Sequence, residues 1–174
     1  MNRTQVVLVD EQDREIGMID KLEAHQKGLL HRAFSVLVFN SQGSLLLQKR
    51  ASHKYHTPGL WTNTCCSHPQ PGEPVEIAAA RRLMEEMGIS CELKRIYSFT
   101  YKATFENGLI EHELDHVFVG VSDDIPQINK DEVEDFRYSS IEDVTADIHT
   151  SPEAYTYWFK RIVNDSGKRF LEFI

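Results

Sequence analysis

The sequence predicts one α+β domain over residues 1–174, on two observations. Apolar segments come in pairs joined by turn residues, which is the pattern of β-hairpins. A well-delimited helical segment separates the earlier pairs from the later one. Hairpins interrupted by a central helix are typical of an α+β domain, and 174 residues suffice to bury one core.

The elements follow from these patterns in chain order. Strands are predicted at residues 4–10, 14–20, 33–39, 45–49, 94–104, 109–120 and 133–138. Helices are predicted at residues 21–27, 75–87, 141–146 and 152–164. Gly28 and Gly88 follow the first two helices, where glycine commonly ends a helix, and Ser151 is expected to cap the last.

The segment 51–74 is predicted as one long loop. It carries three prolines before Pro74, together with Trp61, two cysteines and three histidines. Loops of this length inside compact domains are usually functional, so we expect site residues there.

Composition narrows the class of protein. The net charge of −8 disfavours a general nucleic-acid binder, which is more often basic. No apolar run approaches about 18 residues, and no basic region with an apolar core opens the chain, so we expect no membrane span or signal peptide. Three cysteines, two of them adjacent, make a poor disulfide framework. We expect a cytoplasmic protein that is a monomer or weak dimer.

The predicted helix 75–87 carries charges suited to phosphate binding. Arg82 and Glu86 lie four residues apart and therefore share a helix face. A glutamate can bind Mg²⁺ that also contacts a diphosphate, and a planar guanidinium can hold the diphosphate oxygens. The alternative is that Arg81–Glu85 and Arg82–Glu86 are surface salt bridges.

This stretch resembles the Nudix box. The box runs Gly, five residues, Glu, seven residues, Arg-Glu, an aliphatic, any residue, Glu-Glu, any residue, Gly and an aliphatic. Its positions here hold Ser67, Glu73, Arg81, Arg82, Leu83, Glu85, Glu86, Gly88 and Ile89. Ser67 replaces the first Gly, and Arg82 replaces a Glu that helps Nudix hydrolases bind metal and activate water. The resemblance implies a Nudix-like mixed β-sheet sandwich with flanking helices that binds a diphosphate without cleaving it.

Candidate chemistry also lies outside this helix. In an extended segment, Cys66 and His68 point to one side and Cys65 to the other. A cysteine beside a metal-bound histidine is a candidate proton donor or acceptor, although a buried structural cysteine is the commoner case. Glu111 and Glu113 lie two apart, so a strand places both on one face, and the alternative is a solvated edge strand.

Three histidines complete this set. His25, His31 and His68 offer imidazoles, and Glu111 and Glu113 offer carboxylates. Such a mixed nitrogen and oxygen site suits Zn²⁺, Mn²⁺ or a similar metal. A lone histidine is usually not a ligand, so the argument depends on their occurring together.

The chain is similar to the type I isopentenyl-diphosphate isomerases over nearly its whole length. The most specific signal is the run Thr62, Asn63, then Cys66, His68 and Pro69, and the helix with Arg82 is the second. The other matching stretches are Lys21 with His25, residues 30–35, 49–51 and 58–61, Glu111 to Glu113, and Trp158.

This resemblance implies a role for each matching residue. Cys66 and Glu113 would be the catalytic pair. One divalent metal, Zn²⁺ or Mn²⁺, would be bound by His25, His31, His68, Glu111 and Glu113. Mg²⁺ on Glu86 would contact the diphosphate, which would be held by Lys21, Arg50, Lys54 and Arg82. Tyr101 and Trp158 would line the hydrocarbon pocket.

The implied activity is the interconversion of isopentenyl and dimethylallyl diphosphate. It needs a proton added at one carbon and another removed two carbons away, by groups on opposite faces of the substrate. The face of Trp158 could stabilise a carbocation by roughly 2 kcal/mol, although the residue could equally be a core aromatic. Two other functions remain open: a Nudix hydrolase of a nucleoside diphosphate derivative, and a non-catalytic module with structural zinc.

Overall fold

The computed structural model describes residues 4–174, apart from the side chains of residues 167 and 168. The strands are Gln5–Val9, Glu15–Asp20, His31–Phe39, Leu45–Arg50, Trp61–Thr62, Cys65–Ser67, Lys94–Thr104, Ile110–Val121 and Val133–Ser139, which we number β1 to β9 in this order. The helices are Lys21–Lys27, Val75–Met87, Ile141–Thr150 and Tyr157–Ser166, numbered α1 to α4. The predicted α+β class with a mixed sheet is confirmed.

Strand β3 is the centre of the mixed sheet. It runs parallel to β8 along its whole length, beginning with His31 opposite Glu113. On its other side it pairs antiparallel with β6, where Ser35 lies opposite Cys66. Strands β7 and β8 form a hairpin, β4 pairs with β5 and β9, and β1 pairs with β2. Side chains from β3, β6 and β8 are thereby brought together across one strand.

The alternation of side chains along β3 creates two apolar cores. Val36 and Val38 belong to the core that includes Leu83 of α2. Leu37 and Phe39 belong to the core formed with α3 and α4. Successive side chains of a strand point to opposite faces, so helices cover this strand on both sides, and its second half, residues 36–39, is continuously apolar for that reason.

The predicted loop 51–74 contains two short strands. Strand β5 pairs with β4, and β6 pairs with β3. They are two and three residues long, which is too short for a hydrophobic pattern to identify. Their pairing fixes the cysteine segment onto the central strand.

The predicted helix 152–164 is wrong in its first half. Pro152–Ala154 form a 3₁₀ turn without a capping bond from Ser151, and α4 begins only at Tyr157. Between them Tyr155 is extended and bridges Trp61, and the amide of Thr156 donates to the Trp61 carbonyl at 3.0 Å. This long-range pairing outweighs local helix propensity.

The helix predicted at 141–146 is longer than expected. It continues to Thr150, and the Ser140 side chain caps its N-terminus by accepting from the amide of Asp143 at 3.0 Å. Across residues 4–174, the helices all fall short of the length and apolar character needed to cross a membrane.

Candidate active site

A cavity of about 350 Å³ opens where β6 and β8 flank β3. Its other walls are helices α1, α2 and α4, the start of β1, the loop after β4 and the segment before β9. Its volume falls within the usual range for small-molecule sites, about 300–1,000 Å³. Most of the predicted site residues line it, namely Lys21, His25, Arg50, Lys54, Cys66, His68, Arg82, Glu86, Glu111, Glu113 and Trp158.

Three histidines converge on one carboxylate oxygen. The Nε2 atoms of His68, His31 and His25 lie 2.9, 3.3 and 3.7 Å from Oε1 of Glu113. One ligand atom from each of these four residues lies within 4.8 Å of all the others. The histidines come from α1, β3 and the residue after β6, so three separate segments and β8 together build one centre.

The hydrogen bonding of these histidines fits a bound cation. Nδ1 of His31 lies 2.8 Å from the carbonyl of Leu29, which can only accept, so Nδ1 carries a ring proton. In the neutral ring, which is the form that binds metal, an Nε2 lone pair then faces Glu113. Among the described residues, Nε2 of His25 and of His31 has no hydrogen-bond partner. A buried lone pair facing a carboxylate is unfavourable unless a cation lies between them.

The protonation states point the same way. Burial lowers the pKa of His68 to about 3, so its ring is neutral, which is the form that binds metal. Burial pushes the pKa of Glu113 upward, but the histidine rings outweigh it and hold this pKa well below its usual range. Three imidazoles and a carboxylate are a ligand set for a divalent metal.

Glu111 stands beside this cluster rather than within it. Its Oε1 contacts Nε2 of His56, and its Oε2 accepts from the Tyr101 hydroxyl at 3.0 Å. Burial and the neighbouring Glu113 carboxylate raise the pKa of Glu111 to about 8. The predicted fifth ligand is therefore adjacent to the other four, with both of its oxygens already engaged.

Tyr101, predicted to line the hydrocarbon pocket, is buried beside the two carboxylates and is not among the residues that line the cavity. Its hydroxyl lies 2.7 Å from Oε2 of Glu113 and 3.0 Å from Oε2 of Glu111. Burial, followed by the two carboxylates, raises the pKa of Tyr101 well above its usual range, so the phenol keeps its proton. The strand pairing that sets Tyr101 opposite Glu113 directs this side chain beneath the carboxylates.

The adjacent cysteines point to opposite faces of β6, as predicted. Cys66 lines the cavity with His68, whereas Cys65 is fully buried in the core beneath α2. Burial raises the pKa of Cys66 to about 12, against the opposing charge of Arg50, whose Nη1 lies 3.8 Å from the sulfur. Cys66 therefore holds its proton in the cavity.

The four cationic side chains predicted to hold the diphosphate, Lys21, Arg50, Lys54 and Arg82, line the same cavity together with Arg81. Burial, together with the charges of Lys54 and Arg50, lowers the pKa of Lys21. Lys54 also pairs with Glu132. Cations gathered at this density attract an anion such as a diphosphate.

Glu86, the predicted Mg²⁺ ligand, faces the cavity from α2. One of its oxygens is paired with Arg82, and the other accepts from Nε2 of Gln48 at 2.8 Å. Arg81 and Glu85 form the second predicted salt bridge, at 3.2 Å. Both pairs exist, but the Arg82–Glu86 pair belongs to the cavity wall rather than to the surface.

Trp158 is held against the cavity by a buried amide. Its Nε1 donates to Oδ1 of Asn63 at 3.1 Å, and the Asn63 amide donates to the carbonyls of Val36 and Cys65 at 3.1 and 2.7 Å. One side chain thereby joins α4 to β3 and β6. The guanidinium carbon of Arg50 lies 5.5 Å from the Trp158 ring centre.

Sequence reasoning missed two residues of this site. His56 is one of three histidines in the segment 51–74, and no local pattern separates it from the exposed His53. Gln48 did carry a signal, because it is a polar residue at the end of an apolar strand, and it is fully buried against Glu86.

The chain is similar to known proteins both in fold and in sequence. A NUDIX domain matches residues 29–159. A Deinococcus radiodurans protein of known crystal structure has a TM-score of 0.77 and 22% identity, over 92% of this chain and 98% of its own. A MutT protein from Methanosarcina mazei has a TM-score of 0.65 and 20% identity, over 82% and 94%. At these identities the structures establish the fold alone.

Two curated relatives are much closer in sequence. The Isopentenyl-diphosphate Delta-isomerase of Pectobacterium atrosepticum is 56% identical over 160 residues, which is 92% of this chain and 89% of that protein. The Isopentenyl-diphosphate Delta-isomerase 2 of Photorhabdus laumondii is 55% identical over 167 residues, which is 96% and 94%. With this identity over nearly its full length, and with a NUDIX domain, the chain belongs to the isopentenyl-diphosphate Delta-isomerase family of Nudix-fold proteins.

Proposed function

We propose that the chain interconverts isopentenyl diphosphate and dimethylallyl diphosphate by a 1,3-allylic proton shift in isoprenoid biosynthesis. The observation that carries this is a single cavity containing both Cys66 and Glu113. They come from β6 and β8, on opposite sides of β3, so they can flank a flat substrate. The names of the two curated relatives support the same reaction.

The two groups suit proton transfer in complementary ways. Cys66 retains its proton because burial raises its pKa, whereas the pKa of Glu113 is held low and its carboxylate can accept one. In the reversible reaction, the group that adds a proton in one direction removes it in the other. The Tyr101 hydroxyl donates to Glu113 and fixes the orientation of its carboxylate.

The rest of the cavity suits a carbocation and its diphosphate. Trp158 presents an indole ring, and an indole face stabilises a desolvated cation by about 2 kcal/mol. Enclosure by α2, α4 and the loop after β4 limits the water that would trap such a cation. Lys21, Arg50, Lys54 and Arg82 would bind the diphosphate.

Two divalent metals belong to this proposal. Zn²⁺ or Mn²⁺ would be held by His25, His31, His68 and Glu113, with Glu111 joining from the same strand, and Mg²⁺ would be held by Glu86 and the diphosphate. Their positive charge would stabilise ionised carboxylates and offset the charge of the diphosphate.

A cytoplasmic location also belongs to this proposal. The three cysteines are free, which fits a reducing compartment. Size-exclusion chromatography should return a monomer or a weak dimer.

Incubation with isopentenyl diphosphate and Mg²⁺, followed by ¹H NMR, tests the proposed reaction. Dimethylallyl diphosphate should accumulate to equilibrium with wild-type protein and not with Cys66→Ala. A parallel assay for released phosphate covers the alternative of Nudix hydrolysis. Phosphate release without the allylic product would overturn the proposal.

A further inference from the structure

We propose that His56 is a positioning residue for the metal centre, which holds Glu111 in place for metal binding. The inference rests on the proposed function only in taking Glu111 as a ligand. His56 lies in the loop between β4 and β5 and is buried, with 6% of its surface exposed. It lines the same cavity as Glu111.

The first step is the geometry of Glu111. Its Oε1 contacts Nε2 of His56, and its Oε2 accepts from the hydroxyl of Tyr101 at 3.0 Å. Two partners on two oxygens fix the carboxylate plane, which a single contact would leave free to rotate. The Tyr101 hydroxyl also donates to Oε2 of Glu113, at the shorter distance of 2.7 Å. Of the two partners of Glu111, His56 is therefore the one that does not also contact Glu113.

The second step is that the ring of His56 is itself immobilised. It stacks on His25, with ring centres 5.5 Å apart and planes 23° apart. The edge of Phe105 lies against it, with centres 4.7 Å apart and planes at 87°. Its backbone carbonyl accepts from Nη2 of Arg50 at 3.0 Å. A ring packed against two other rings, with its backbone carbonyl hydrogen-bonded, can orient a carboxylate.

The third step is the direction of the hydrogen bond. A metal-bound Glu111 is ionised and only accepts, so in that state Nε2 of His56 would carry the ring proton and donate it to Glu111. Nδ1 of His56 has no partner within residues 4–174. A donor nitrogen aimed at a ligand oxygen matches the outer partners that orient metal-binding carboxylates.

The fourth step separates His56 from the ligands themselves. The ligand atoms of His25, His31, His68 and Glu113 all lie within 4.8 Å of one another, and neither Glu111 nor His56 is in that group. Glu111 shares the Tyr101 hydroxyl with Glu113, whereas the Nε2 contact of His56 is to Glu111. His56 contacts Glu111 through Nε2 and stacks on the ring of His25. We therefore infer that it acts on the metal through Glu111.

Three variants test this in protein stripped of metal. His56→Phe keeps a ring between His25 and Phe105 but removes the donor, and His56→Gln returns a donor N–H at about the position of Nε2. His53→Phe is the control, because His53 is exposed on the same loop. Zinc affinity is measured by competition with a chromophoric chelator, and thermal melting verifies folding. No isoprenoid substrate is present, so failure of the proposed reaction leaves this measurement intact.

The expected result is a loss of zinc affinity of about 10–100-fold in His56→Phe, partial recovery in His56→Gln and none lost in His53→Phe. Equal affinities in wild type and His56→Phe would overturn the proposal, as would a His56→Gln variant no better than His56→Phe. A merely structural role would lower the melting temperature of the metal-free variants without changing zinc affinity.

One further measurement needs no variant. In ¹⁵N-labelled wild-type protein with zinc bound, the His56 ring should carry its proton on Nε2. If zinc displaced that proton, so that Nε2 bound the metal and Nδ1 carried the proton, His56 would be a ligand and the positioning role would be wrong.

Discussion

Helix α2 and strand β8 both line the cavity, but their carboxylates have different kinds of partner. At the helix, Arg81 binds Glu73 at 2.7 Å, and Arg82 binds Glu85 at 2.8 Å and also Glu86. The hydrogen bond from Arg81 lowers the pKa of Glu73. These carboxylates already have full positive charges beside them.

The carboxylates of β8 contact imidazole rings and a phenol instead. Glu113 faces three imidazoles, and Glu111 contacts His56 and Tyr101. A guanidinium neutralises a carboxylate, whereas an imidazole that gives up a ring proton can bind a cation together with it. Arg82 stands where the Nudix box has a metal-binding glutamate, so the main capacity for a metal lies on the sheet. The fold is retained while its chemistry changes from hydrolysis to proton transfer.

The largest effect should come from neutralising the centre of the β8 group. Glu113→Gln keeps the shape of the side chain but removes its charge, so turnover should fall by about 10²–10⁴-fold or more, since a proton-transfer group and a ligand are lost together. The matched helix variant, Glu85→Gln, should cost about 1 kcal/mol of stability or less and spare turnover. Steady-state kinetics with metal analysis measures both, and equal losses in the two variants would erase the distinction between the regions.

The two faces of β6 extend the same comparison to adjacent residues. Cys66→Ala should lower turnover by about 10²–10⁴-fold, because the thiol in the cavity is lost. Cys65→Ala should keep most of the turnover and lower the free energy of unfolding by about 1–2 kcal/mol, because it leaves a small void beneath α2. A substrate-like epoxide should alkylate Cys66 and spare Cys65 and Cys91. Label on Cys65, or near-normal turnover in Cys66→Ala, would refute the assignment.

A charge reversal at Arg82 tests whether this arginine accounts for the difference between the carboxylates of α2 and those of β8. Arg82→Glu restores the Nudix box at that position, yet it should raise KM for the diphosphate substrate about 10–100-fold, since a charge-assisted contact of about 1.5–3 kcal/mol is lost. Arg82→Gln, which removes the charge without reversing it, should show a smaller rise. Unchanged kinetic constants in Arg82→Glu would show that Arg82 does not bind the diphosphate.

The smallest expected effect is a pH dependence of stability in metal-free protein. The pKa of Glu111 is raised to about 8 from 4.5, so between these values the folded state binds more protons than the unfolded state. The stability contributed by the protonated carboxyl is therefore complete below pH 4.5 and is lost as pH rises to 8. Asp115, whose pKa burial also raises, acts in the same direction.

Thermal melting between pH 7 and 8 measures this loss, because His56 and His68, whose pKa values burial lowers, are then largely uncharged in both the folded and the unfolded state. The melting temperature should fall by about 2–4 °C for each kcal/mol lost. Glu111→Gln should flatten the decline, and bound zinc should weaken it because the cation replaces the proton. A melting temperature that rose over this range in metal-free wild type would contradict the sign.

The two groups also differ in how far the sequence predicted them. On the helix, the Arg81–Glu85 and Arg82–Glu86 pairs follow from i,i+4 spacing, because a helix fixes that geometry locally. On β8, the shared face of Glu111 and Glu113 follows from strand alternation. The side chains that contact each carboxylate could not be predicted from the sequence. The contact between His56 and Glu111 was missed because these residues are 55 positions apart in the chain.

The sequence by itself determined the α+β class, the bounds of α1 and α2, the opposite faces of Cys65 and Cys66, and the family resemblance. Each depends on neighbouring residues or on a motif. Only the tertiary structure decided that three histidines meet at Glu113, that Gln48 reaches Glu86, and that Tyr155 interrupts the last helix. These features depend on the parallel register of β3 and β8 and on pairing with β5. Such long-range contacts override local propensity because they provide hydrogen-bond partners for polar groups that are buried away from water.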